Sequence, residues 1–162
     1  MQPKAGIIRL RRLRATEGMK PMRTLLLLLA VFVLAAAPAE ALSNAARYLI
    51  DQQIGQACEG RGGTIDPAAV IERDLTGDGR ADLIISHEGI RCSGGGRSLY
   101  CGIQVCSVML YVRRGALLEL AADDKLGMGV SVEDGAPPTI RMFGHGGRPT
   151  ALRWDGQGFR WQ

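Results

Sequence analysis

Residues 70–87 read VIERDLTGDGRADLIISH, and the order of residue types in them decides the architecture. Val70 and Ile71 open a short extended segment, Val70–Arg73. Leu83, Ile84 and Ile85 stand side by side in a second one, Leu83–His87, which is apolar on both faces as a central strand must be. An acidic, glycine-containing loop joins the two directly. Further along, Val108, Leu110 and Val112 alternate with Met109 and Tyr111, and Arg113-Arg114-Gly115 turns the chain into Leu117–Ala121, which predicts a hairpin. Val130–Glu133, Thr139–Phe143, Thr150–Trp154 and Phe159–Trp161 continue the extended pattern, with Asp155-Gly156-Gln157-Gly158 as the last turn.

Upstream of residue 70 the period changes. Ser43 is a suitable N-cap, and Ala46, Leu49, Ile50, Ile54 and Ala57 recur at helical intervals, which predicts a helix over 43–56. Gly60, Gly62 and Gly63 end it, and Asp66-Pro67 makes a turn. The expected fold class is therefore α+β, an N-terminal helix followed by a mainly antiparallel β-sheet with Gly-rich loops. Aromatic residues make up only 5% of the chain, so the core is expected to rest on Leu, Ile and Val, with Trp154, Phe159 and Trp161 closing one end. The glycines around 89–102, 127–129 and 144–147 predict exposed loops.

Residues 25–37, LLLLLAVFVLAAA, form an apolar run preceded by Lys20 and Arg23 and followed by small residues up to Ala41. As a helix the run would cover about 20 Å of a hydrocarbon core roughly 30 Å thick, so it reads as a secretory signal cut after Ala39 or Ala41. Residues 1–41 are assigned to that leader, with 1–18 set aside as an overextended start ahead of Met19. Residues 42–162 are assigned to a single disulfide-stabilised domain. The whole chain carries 20 Lys and Arg against 16 Asp and Glu, but from Leu42 onward the counts are 13 and 14, a net charge of −1. A nucleic-acid or anionic-membrane partner thereby loses its electrostatic basis. No stable membrane span is expected after the leader is removed, and the expected location is the periplasm or the medium.

All four cysteines, Cys58, Cys92, Cys101 and Cys106, fall in the exported part, and an even count there points to cystines. Three connectivities exist. Cys58–Cys92 with Cys101–Cys106 is expected, because CGIQVC is short and Gly102 lets it bend. A zinc site is disfavoured, since no C-x₂-C pair is present.

The segment that carries chemistry is Asp74-Leu75-Thr76-Gly77-Asp78-Gly79-Arg80-Ala81-Asp82, with carboxylates at loop positions 1, 5 and 9 and a hydroxyl at position 3. A hard cation such as Ca²⁺ needs six to eight oxygens, which a tight loop supplies from alternate side chains and a backbone carbonyl. Asp74, Thr76, Asp78, the carbonyl of Arg80, and Asp82 are the candidate ligands. Position 12, where an EF-hand places Glu, is Ile85, so the helix–loop–helix version is excluded. The same residues also suit a plain Asp-Gly turn whose carboxylates cap backbone N–H groups.

With strands on both sides, the loop resembles the D-x-[DN]-x-D-G-x-x-D calcium loops of FG-GAP and VCBS repeats, modules of integrin-type propellers and of many secreted bacterial proteins. The resemblance covers residues 70–86, together with WDGQGF at 154–159, a segment of a kind seen in exported sheet domains. It implies a bound Ca²⁺ with a structural role. Thr76 stands where the family offers Asn or Asp, and no second copy of the loop occurs, so a propeller of at least about four blades is not expected.

The other motifs are weaker. His87-Glu88 and His145 are the raw material for a small periplasmic hydrolase, but HExxH and Gly-x-Ser-x-Gly are both absent. Gly94-Gly95-Gly96-Arg97-Ser98 lacks the Lys-[Ser/Thr] ending of a phosphate cradle and reads as a loop framed by cysteines. The expected function is an exported, non-catalytic binding or envelope-associated protein acting on an unspecified protein or envelope ligand. The alternatives are the hydrolase, which requires His87, Glu88 and His145 to converge, and a protein-inhibitor or interaction module, which requires an exposed apolar patch near the glycine loops.

Overall fold

The computed structural model describes residues 41–162, so the leader reading lies outside the described residues. Helix α1, Asn44–Ala57, starts where Ser43 leaves the extended region and its hydroxyl accepts the Ala46 N–H. Ala46, Ile50, Gln53 and Ala57 are buried, one face at helical spacing. The cap is tied to the sheet. Glu72 accepts the Ser43 N–H at 2.7 Å, and Arg113 donates to both Glu72 and the Ser43 hydroxyl.

Seven strands form one antiparallel sheet in the order β2-β3-β5-β6-β7-β8-β9, which confirms the α+β expectation. They are β2 (Val70–Arg73), β3 (Asp82–Ser86), β5 (Cys106–Arg114), β6 (Leu117–Glu133), β7 (Thr139–Phe143), β8 (Pro149–Trp154) and β9 (Phe159–Trp161). Two three-residue strands, β1 (Gly63–Ile65) and β4 (Ile90–Cys92), pair in a separate ribbon. Nothing in the sequence foretold them, because three residues carry no measurable period and Gly63 reads as a helix stop.

The alternation in β3 divides the interior. Leu83 and Ile85 point to one face and pack with Ala46, Ile50 and Tyr111, under the helix. Ile84 points to the other and joins Val108, Leu110, Val112, Ile140, Met142, Leu152 and Phe159. That second cluster unites residues of β3 and β5 with residues of β7, β8 and β9, so the sheet folds over on itself. Each fully buried aliphatic side chain contributes about 1.5–3 kcal/mol.

The fold-over is made by β6. It is a single strand of 17 residues, where two strands separated by a loop had been expected. Its first part pairs with β5 as far as Gly127 and its last part pairs with β7 from Met128, with a register shift between Met128 and Ser131 where Gly129 takes φ 60°. The expected loop at 127–129 is thus a bend within a strand. Gly127 is buried there against the Met142 side chain, leaving no room for a Cβ. The aromatic expectation is also corrected in part. Trp154 and Phe159 pack edge to face at 5.1 Å, whereas Trp161 is 48% exposed with the Lys125 ammonium 5.8 Å from its ring centre.

Both disulfides pair as expected. Cys58–Cys92 joins the end of α1 to β4 with a Cα–Cα distance of 5.4 Å, and Cys101–Cys106 closes the segment leading into β5. Among the described residues, no helix is long and apolar enough to cross a membrane.

Candidate functional site

The acidic loop connects β2 to β3 and is pinned by Leu75, which is fully buried in the fold-over core. Gly77 and Gly79 take φ 82° and 81°, a backbone region closed to most side chains. The chain curls around Asp74. Its Oδ1 accepts N–H groups of Thr76, Gly77 and Asp78 at 2.7–3.2 Å, and its Oδ2 accepts that of Gly79 at 2.8 Å. Asp82 is fully buried, yet its charge is matched, since Oδ2 accepts from Leu75 and Thr76 and Oδ1 accepts from Arg113. Asp78 faces Arg80, whose guanidinium and then backbone N–H groups hold the carboxyl below its usual range.

The structure therefore joins Asp74 and Asp82 through the Thr76 N–H, which both accept, and pairs Asp78 with Arg80. The Thr76 hydroxyl is buried without a well-formed hydrogen bond, and its side chain faces Asp78, whose charged form it helps to favour. Among the described residues, no group of three or more His, Cys, Asp or Glu side chains is arranged to hold a metal ion. The loop stands on backbone donors as it is, and a cation would have to draw Asp78 away from Arg80. The second resemblant segment is a turn of similar construction. Asp155 Oδ1 accepts N–H groups of Gln157 and Gly158, and these with Arg160 push the carboxyl down to about 2.

His87 follows directly on the last residue of β3. It begins a 3-10 turn, His87–Gly89, and is fully buried. Gln53 Nε2 donates to the Tyr111 hydroxyl at 2.9 Å, which turns Gln53 Oε1 toward His87 Nε2, also at 2.9 Å. On the other side the Ser98 hydroxyl, which already accepts the Tyr100 N–H, lies 2.9 Å from His87 Nδ1 and donates to it. Burial pulls the pKa of the ring down to about 4, which keeps it neutral near pH 7, and the Gln53 carbonyl oxygen then places the single proton on Nε2 and leaves Nδ1 to accept from Ser98. A serine hydroxyl bonded to imidazole is the opening of a nucleophile–base pair. Here Ser98 is 2% exposed, His87 is fully buried and Tyr100 lies edge-on to the imidazole at 4.9 Å, so the pair is enclosed by the fold. His145 is exposed and meets only Gln104, and Glu88 Oε2 accepts the Gly129 N–H at 2.7 Å. The three residues of the hydrolase reading share no hydrogen-bond partner.

No sequence motif marks the open cavity of about 300 Å³ between the turn at Asp66, the His87–Gly89 turn and the bend in β6. Asp66, Ser86, Glu88 and Arg91 supply its polar groups, and Ala69 and Val130 line it beside them. Its residues come from three separate stretches of chain, so only distance in space unites them. Comparison of the chain with family models, with curated proteins and with solved structures found no match.

Proposed function

We propose that this chain is an exported, non-catalytic binding domain of the periplasm or the medium, braced by its two cystines. The observation that supports the reading is the internal commitment of His87. Both of its nitrogens are bonded inside the fold, while the polar groups that remain open to a ligand line a cavity. The two disulfides support an oxidising compartment.

Ca²⁺ enters as a brace for the loop between β2 and β3. The buried Thr76 hydroxyl, the Asp74 carboxylate and the Arg80 carbonyl are oxygens it would share with Asp78, and Asp82 would join through lone pairs that its amides leave. The cation would offset the repulsion among the three carboxylates. Nothing in the proposed binding depends on it.

The second reading, an interaction module, is favoured by one feature. Leu99 and Tyr100, just ahead of the Cys101–Cys106 loop, and Ile103 within it are 58%, 45% and 98% exposed, a few residues after the glycines at 94–96.

Export is tested by expressing the full chain in a Gram-negative host, fractionating it and sequencing the N-terminus. The expected product lies outside the cytoplasm, begins at Glu40 or Leu42, and resists alkylation until reduced. A full-length cytoplasmic product with four reactive thiols would overturn the reading.

A further inference from the structure

Ser86 is the last residue of β3, 2% exposed, and its hydroxyl has no hydrogen-bond partner. Alternation along the strand puts it on the side of Ile84, toward the fold-over core to which Val130 belongs, and Ser86 and Val130 both line the cavity. A buried hydroxyl without a partner is a cost to folding that a bound polar ligand removes.

The rim around it is oriented in advance. Asp66 Oδ1 accepts the Ala68 N–H at 2.9 Å and Glu88 Oε2 accepts the Gly129 N–H at 2.7 Å, which fixes both carboxylates and leaves one oxygen of each unused. Arg91 is held by the carbonyls of Glu88 and Ile90, through one nitrogen, with the rest of the guanidinium unused. Gly89 cannot carry a side chain, since a Cβ would collide with that of Ala69, so the wall here stays as backbone. Two carboxylates to one guanidinium select a ligand with an ammonium group, and the guanidinium adds a place for a carboxylate on the same molecule.

We infer that this cavity binds a small zwitterion of the α-amino-acid class, its ammonium between Asp66 and Glu88, its carboxylate toward Arg91, and its side chain within reach of Ser86. A volume of about 300 Å³ admits one such molecule. The inference rests on the binding-domain reading and names the ligand class for it.

The test is saturation-transfer NMR and calorimetric titration of the exported chain with L-serine, with ethanolamine, which lacks the carboxylate, and with lactate, which lacks the ammonium. Serine is expected to bind, ethanolamine at least fivefold more weakly, and lactate not at all. Glu88→Gln keeps an acceptor for the Gly129 N–H and so keeps the fold, and it should weaken serine at least tenfold. Ser86→Ala should raise the melting temperature while weakening serine, a combination that a purely structural hydroxyl would not produce. No binding of any probe by exported protein with intact cystines overturns this inference and leaves the export reading standing. Serine binding unchanged in Glu88→Gln also overturns it. Selective binding by a chain that stays in the cytoplasm upholds the cavity assignment and removes export alone.

Discussion

At the level of single residues, the largely apolar interior of this protein encloses a few polar side chains, and His87 shows the consequence. Its ring is neutral in the folded chain because protonation would put a charge where burial leaves no water and Gln53 already receives the Nε2 proton. In the unfolded chain the same ring titrates near 6.5, against about 4 when folded. Since the folded value is the lower one, the unfolded state binds more protons in between. Stability is then fully present above about 6.5 and falls as the pH drops toward 4, by roughly 3 kcal/mol over the interval. Urea denaturation from pH 7.5 to 4 should show that decline, and His87→Gln should flatten it. A wild-type slope equal to that of the variant would remove the histidine from the account. The sequence placed His87 at a strand end, correctly to within one residue. Its seclusion depends on Gln53 and Ser98, which no local pattern links to it.

Among the elements, the loop between β2 and β3 and the bend in β6 differ in how far they could be read. The loop announces itself, because three aspartates and two glycines in nine residues are a local signal, and the structure puts both glycines at positive φ. What spacing left open was the direction of each carboxylate. Asp82 turns inward to three amides, one of them on Arg113, which no inspection of nine residues reveals. The expected effect of Ca²⁺ belongs at this scale. Millimolar Ca²⁺ should raise the melting temperature over that in EDTA, and Asp78→Ala, which removes the carboxylate facing Arg80, should abolish the difference. Identical melting curves in the two buffers would show that backbone donors alone hold the loop. In β6, by contrast, Gly127 and Gly129 look like loop residues and serve as a hinge in a strand. Glycine signals departure from regular geometry without saying whether the chain leaves the sheet or bends within it.

For the whole molecule, the two cystines carry unequal weight. Cys58–Cys92 spans 34 residues and ties helix to ribbon, whereas Cys101–Cys106 spans 5. Loop-closure entropy alone assigns about 3.8 kcal/mol to the first and about 2.2 kcal/mol to the second. Replacing each pair by serine and measuring urea unfolding should preserve that order, with the Cys58–Cys92 variant the less stable by about 1–2 kcal/mol. The reverse order would mean that strain or denatured-state structure outweighs chain entropy.

Residue order by itself determined a helix within one residue of its observed bounds, the run of antiparallel strands and the place of the acidic loop, and it favoured the cystine pairing that the structure shows. All of these follow from periods and spacings within a few residues, or from how far a short chain can bend. Only the tertiary structure decided that the sheet folds back through β6, that His87 is sealed, that Trp161 stays outside, and that Asp66, Ser86, Glu88 and Arg91 share one cavity. Those outcomes depend on which distant segments pack together. Burial and hydrogen-bond matching are settled across the whole core at once, and no stretch of sequence carries that information alone.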